Sequence, residues 1–290
     1  MSFLNNMITR VNLMMVKLSA IQLNSKPDVE QNIQAIAKQL EKLTQPESVE
    51  EVAHIVVLPE CCLFFGANDR AQLSLAQQAK NNNQLQSALS QLAKQYNVTL
   101  VGGTIPILTN SEDKFTNTSC VFNACGELIT HYDKIHLFDV NVADNEKTYR
   151  ESRYTQAGNK ACIAKTPWAN IGLSVCFDLR FPALYRKLND LGADIITVPS
   201  AFTRVTGKAH WQTLLQARAI ENQVYIIAAG QEGVHANGRE TWGHSMIISP
   251  WGEILACLEQ GEGIISSDYI PLEIQRIRTS MPLKHTSLFN

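Results

Sequence analysis

Glu60, Lys134 and Cys176 supply a carboxylate, an ammonium and a thiol, each placed at or just past the end of an apolar or strand-like stretch of the 290-residue chain. Glu60 follows His54-Ile55-Val56-Val57-Leu58-Pro59, so its carboxylate emerges from a strand-like run with Pro59 fixing the turn. Burial there raises a carboxyl group toward the range of a general base, whereas an acidic residue at a strand end also serves as a helix cap or the partner of a surface cation. Cys176 closes Gly172-Leu173-Ser174-Val175 and precedes Phe177-Asp178-Leu179-Arg180-Phe181-Pro182, where a strand turns toward a helix. Helix N–H groups beside a thiol favour the thiolate and hence nucleophilicity. The other reading, a buried inert thiol, is the one taken for Cys61, Cys62, Cys120, Cys125, Cys162 and Cys257. Lys134, in His131-Tyr132-Asp133-Lys134-Ile135-His136, reads alone as a solvated lysine, and only its company gives it another meaning.

An α/β fold would bring such groups together, because its ligand crevice lies outside the carboxyl ends of its strands. Residues 17–23 alternate polar and apolar side chains, and Ile33, Ile36, Ala37, Leu40 and Leu43 then recur at helical spacing. The pattern repeats with an apolar run at 55–58, a periodic segment at 85–96 and a run at 100–103. Two strand-like stretches between 116 and 132 flank the turn Asn123-Ala124-Cys125-Gly126, which makes the sheet mixed. Residues 138–160 lack periodicity and read as the longest loop. Strands at 171–175, 195–198 and 225–229 alternate with helices at 182–191 and 209–222; a hairpin around Pro250-Trp251-Gly252-Glu253 and a short helix after Pro271 follow. No low-complexity linker interrupts, so residues 15–290 are expected to form one domain behind a disordered extension at 1–14.

Composition bounds the partners. Hydrophobic residues make up 45% and charged residues 18% of the chain, which excludes charge-driven disorder. A formal net charge of -2 supplies no bulk attraction for nucleic acid or an acidic membrane, and no apolar run approaches a membrane span. Seven cysteines, an odd count without zinc-type Cys/His spacing, argue against a disulfide-stapled secreted domain and against a metal site. The sequence reads as cytoplasmic.

Leu58-Pro59-Glu60, the segment YDKIHLFD at 132–139 and GLSVCFDLRFP at 172–182 resemble the three signature segments of the nitrilase superfamily of carbon-nitrogen hydrolases, in that family's order Glu, Lys, Cys. The stretches PSAFTRVTGKAHWQTLLQARAIENQVYIIAAGQ at 199–231 and GHSMIISPWGEIL at 243–255 are similar to its later blocks and point to the branch of deaminated glutathione amidase and omega-amidase. The resemblance implies an α/β four-layer α-β-β-α sandwich with mixed sheets, a homodimer or higher homo-oligomer, and no cofactor. It further implies Cys176 as nucleophile, Glu60 as general base and acid, and Lys134 as oxyanion stabiliser, with the Phe177 backbone N–H as a second donor. Glu151, in Tyr149-Arg150-Glu151-Ser152, best matches the family's second glutamate, although Ala157-Gly158 stands where Pro-Gly is usual.

The loop at 200–208 follows another strand and should face the same crevice, which makes Thr203, Arg204 and Lys208 candidates for binding a substrate carboxylate. Arg180, a further candidate for that carboxylate, is read in preference as an ion-pair partner of Asp178 that braces the nucleophile turn, and His210 and Trp211 as core in preference to site wall. The expected activity is hydrolysis of the amide of a small carboxylate-bearing molecule, through a thioester, to acid and ammonia. Deaminated glutathione is the favoured substrate, with α-ketoglutaramate or a nitrile as alternatives. A scaffold that has kept the fold but not the activity, and a Cys-His hydrolase using His210 or His244 as base, are competing readings.

Overall fold

The computed structural model describes residues 15–43, 52–80, 83–144 and 148–283, so the extension expected at 1–14 lies outside them. Strand β1 (Met15–Gln22) leads into helix α1 (Val29–Leu40), which Asp28 caps by accepting the Gln31 N–H. Strand β2 (Val52–Val57) runs parallel to β1. Helices α2 (Asp69–Ala79) and α3 (Gln84–Gln95) then precede strand β3 (Thr99–Val101), which is parallel to β2. Strands β4 (Ile105–Leu108), β5 (Phe115–Phe122) and β6 (Leu128–Asp133) extend this first sheet in antiparallel fashion. The β5–β6 turn is the expected hairpin, with Gly126 at a φ of +81°.

A ribbon of β7 (Asp139–Asn141) and β8 (Thr148–Arg150) leads to the second sheet. There β9 (Ile163–Lys165) pairs antiparallel with β10 (Asn170–Leu173), helix α4 (Pro182–Asp190) follows, β11 (Ile195–Ser200) lies parallel to β10, and helix α5 (Arg204–Asn222) crosses to the parallel β12 (Tyr225–Gly230). A second ribbon, β13 (Glu232–Val234) with β14 (Glu240–Trp242), precedes β15 (Ser245–Ile248) and β16 (Ile254–Leu258), which close that sheet. Strand β17 (Gly263–Asp268) returns to pair with β1, and helix α6 (Pro271–Ser280) ends the described chain.

Side-chain alternation along the strands decides what each face covers. Leu18, Ala20, Ile55, Val57 and Val121 join the core shared with the second sheet, while Val56, Leu58, Leu100 and Cys120 pack with Ile36, Leu40, Leu89 and Leu92 of α1 and α3. Leu184, Tyr185, Leu188, Trp211 and Leu215 seat α4 and α5 on the second sheet, completing a four-layer α-β-β-α sandwich. Each such fully buried leucine is worth about 2–5 kcal/mol against alanine. Among the described residues no helix is long and apolar enough to cross a membrane.

Three local expectations change. Helix α5 starts at Arg204, because Thr203 caps it by accepting the Thr206 N–H, so the loop read at 200–208 shrinks to three residues and Lys208 rides on the helix. Helix α2 replaces an unassigned stretch; Asn68 caps it, and only Leu73 and Ala76 of its apolar residues are fully buried, which left little periodicity to read. Within the stretch read as one irregular loop at 138–160, the described residues include the paired strands Asp139–Asn141 and Thr148–Arg150 and the short turn Glu151–Arg153.

Candidate active site

Parallel strands set the positions of the reactive groups. β2 ends at Val57, two further residues carry the chain over the sheet edge, and Glu60 emerges only 4% exposed. Lys134 follows directly on β6 and is 2% exposed. Cys176 lies past β10 and opens the tight turn Cys176–Arg180 with a φ of +47°, a left-handed conformation costly for a residue with a Cβ. All three line one cavity of about 300 Å³.

The cavity floor is a continuous buried network. The Lys134 Nζ donates to Glu60 Oε1 at 2.9 Å and to Glu151 Oε2 and Oε1 at 2.8 and 3.1 Å. Glu60 also has the Cys176 thiol beside it and accepts the Asn117 Nδ2 at 2.9 Å and, through Oε2, the Ala201 backbone N–H at 2.9 Å. Glu151 is fixed by the Phe138 N–H at 2.7 Å and reached by the same Asn117 amide at 3.3 Å. A lysine so deeply buried is tolerated because two carboxylates meet it and each carboxylate has further donors.

These contacts set the charges. Burial, the largest single influence, pushes the Glu60 carboxyl up, but Lys134 beside it, joined by Cys176 and Arg239, leaves the group below the ordinary 4.5. Burial opposes the Lys134 charge, and the carboxylates of Glu151 and Glu60 overcome it and hold the ammonium well above its usual range. Burial, reinforced by Glu60, pushes the Cys176 thiol up despite Lys134. The resting site therefore holds a carboxylate, an ammonium and a neutral thiol, which reverses the expectation of a thiolate formed by helix N–H groups. An uncharged thiol beside a carboxylate that can take its proton is a nucleophile that ionises as it attacks.

Asp178 ties the two halves of the site. Fully buried, it accepts the Tyr132 hydroxyl at 2.7 Å, the Val175 N–H at 2.9 Å and the His136 N–H at 3.0 Å, and pairs with His136 Nδ1 at 2.6 Å. Its side-chain partner on this flank is thus the His136 ring, not the expected Arg180, whose guanidinium lies over the Phe177 and Phe202 rings and contacts His210.

The substrate-binding candidates divide. Thr203 lines the cavity. Arg204 instead pairs with Glu240 at 3.0 Å in a neighbouring cavity, and Lys208 is exposed on α5, because the early start of that helix carries both outward. His210 is exposed rather than core, whereas Trp211 is buried with its indole N–H on the His244 carbonyl. Neither His210 nor His244 is among the residues lining the cavity, which removes the Cys-His arrangement. Cys125 and Cys257 are exposed, against the expectation of buried thiols, and Cys61 lines the cavity. Sequence reasoning missed Asn117, Ala201 and Arg239. An Asn-Gly hairpin signal at 237–238 marks the neighbourhood of Arg239, but nothing in the spacing tells where its side chain goes.

A family model described as carbon-nitrogen hydrolase matches residues 17–278. The chain is 39% identical over 276 residues to the deaminated glutathione amidase of Yersinia enterocolitica, covering 94% of this chain and 93% of the relative. It is 35% identical to the omega-amidase NIT3 of Saccharomyces cerevisiae, covering 95% of this chain and 94% of that one. The crystal structure of Saccharomyces cerevisiae Nit3, a member of branch 10 of the nitrilase superfamily, superposes with a TM-score of 0.83 at 33% identity, over 95% of this chain and 97% of that one.

Proposed function

The chain belongs to the carbon-nitrogen hydrolase family, and on that premise we propose that it is a cysteine-dependent amidase with Glu60, Lys134 and Cys176 as its catalytic residues. The observation that carries this reading is the buried array in which the Cys176 thiol and the Lys134 ammonium meet on the Glu60 carboxylate.

In the proposed mechanism Glu60 takes the thiol proton as the Cys176 sulfur attacks the amide carbon, so charge passes to the carbonyl oxygen as it leaves the carboxylate. Lys134 and the Phe177 backbone N–H stabilise that oxyanion. Glu60 then delivers its proton to the departing nitrogen, the C–N bond breaks and a thioester remains. A water molecule, deprotonated by Glu60, attacks the thioester, and the proton returns to the Cys176 sulfur as the acid leaves. Glu151 is a positioning residue: its two oxygens hold the Lys134 ammonium toward the cavity without taking its proton.

The favoured substrate is deaminated glutathione, supported by the names of relatives at 39% and 41% identity; α-ketoglutaramate is second, supported by an omega-amidase at 35%. Both present the same five-carbon oxo-acid acyl group. They differ in what leaves: a primary amide releases ammonia, whereas deaminated glutathione releases cysteinylglycine, so ammonia is the product of the second substrate only. The test is release of 2-oxoglutarate from each compound by purified protein, with Cys176→Ala as blank. Faster turnover of deaminated glutathione supports the reading, faster turnover of α-ketoglutaramate replaces it with an omega-amidase, and release equal to the blank on both overturns it.

A further inference from the structure

The cavity wall holds one arginine whose surroundings differ from those of its neighbours. Arg239 enters β14 from a tight turn in which the His235 N–H donates to the Arg239 carbonyl at 2.9 Å and Gly238 takes a φ of +84°. That turn is anchored beneath: His235 is buried, contacts the Thr241 hydroxyl at 2.7 Å and meets the Phe65 ring edge-on. The guanidinium lies over the Phe65 ring at 5.2 Å and the Tyr149 ring at 5.0 Å, so its plane is held before any ligand arrives.

What Arg239 lacks is an anion. Its Nη2 donates to the Ala201 carbonyl at 3.1 Å, its Nε is buried without a partner, and among the described residues it makes no ion pair. The nearest chain neighbour able to neutralise it, Glu240, is taken by Arg204. The other arginine on the cavity, Arg150, is committed to the Val140 and Tyr149 carbonyls and the Asn141 side chain. Ala201, which receives Arg239 through its carbonyl, gives its N–H to Glu60, so one residue links the guanidinium to the catalytic carboxylate. A guanidinium held over two rings and lacking an anion at that remove fits a carboxylate on a short acyl chain whose carbonyl sits at Cys176, because the planar fork donates to two oxygens at once.

We propose that Arg239 is the specificity-determining residue that binds the carboxylate of the substrate's acyl group, in place of the Arg204 and Lys208 expected from sequence. This rests on the amidase reading and says where that reading's selectivity arises: an amide with a terminal carboxylate is preferred over an equally long uncharged one.

The test compares glutaramate with pentanamide, which share the amide end and differ in carboxylate against methyl. Wild-type protein should prefer glutaramate in kcat/KM, and Arg239→Gln should shrink the ratio of the two about 30- to 100-fold, chiefly through KM for glutaramate. Arg239→Lys, which keeps the charge but not the fork, should fall between. An unchanged ratio in Arg239→Gln overturns the proposal. Calorimetric binding of glutarate to wild type and to Arg239→Gln is read independently of turnover: lost binding in the variant supports the anchor, and equal binding overturns it. If the wild type hydrolyses neither these amides nor deaminated glutathione and α-ketoglutaramate yet binds glutarate through Arg239, the amidase reading fails and the anchor stands.

Discussion

The Tyr132 hydroxyl donates to Asp178 at 2.7 Å, joining the strand that carries Lys134 to the turn that carries Cys176. Each partner is two residues from a reactive group, so the bond fixes how far the ammonium lies from the sulfur. Tyr132→Phe should cost about 1–2 kcal/mol in denaturant unfolding, for one buried hydrogen bond to a charged acceptor. The same variant should lower kcat by about tenfold with KM little changed, because an ångström of misplacement between catalytic groups is expensive. A kcat equal to wild type would show that the remaining Asp178 contacts suffice.

Cys176→Ala should lower turnover to the level of a protein-free control while leaving thermal unfolding within a few degrees of wild type. The residue sits at a φ of +47°, a strain that alanine shares, and the lost sulfur opens onto the cavity rather than the core. Glutaramate turnover and a melting scan on the same preparation check both parts.

Glu60 and Glu151 both touch Lys134, but only Glu60 also meets the thiol. Glu60→Gln should therefore lower kcat by about 10²–10⁴-fold, the usual worth of a general base. Glu151→Gln leaves the base in place and should cost less, about 10- to 100-fold, by loosening the ammonium. Equal losses in the two variants would assign Glu151 a share in proton transfer.

Acid should weaken the fold in two stages. Burial, with the cations Arg239 and Lys26 nearby, holds the His235 imidazole down to about 4 despite the Ser25 carbonyl, so folding favours its neutral form. Its contribution is complete above the unfolded value of 6.5 and drains away as pH falls toward about 4, by about 3 kcal/mol in all. Glu60, held below 4.5 when folded, adds a second loss that begins only below that pH. His235→Gln should flatten the stability profile between pH 6.5 and 4.5 in urea titrations and leave the steeper fall below it. A profile with the same slope in variant and wild type would mean that another group titrates there.

Much of this protein is written in local sequence. The helical spacing of Leu85, Leu89 and Leu92, the strand alternation at Ile55 and Val57, and the Gly126 turn each follow from periods and dihedral preferences that adjacent residues set alone. The types and order of Glu60, Lys134 and Cys176 belong to the same category, since they stand at strand ends recognisable from apolar runs. What only the tertiary structure decided is which groups meet and in what charge state. Cys176 is a neutral thiol because burial and Glu60, 116 positions away in the chain, outweigh Lys134 and the Ala201 N–H, a balance that has no local signature. The choice of Arg239 over Arg204 is of the same kind. Both follow turns and both are arginines, but the cap at Thr203 turns one outward to Glu240, and the ring stacks of Phe65 and Tyr149 hold the other over the cavity, where the carboxylates and the thiol already converge.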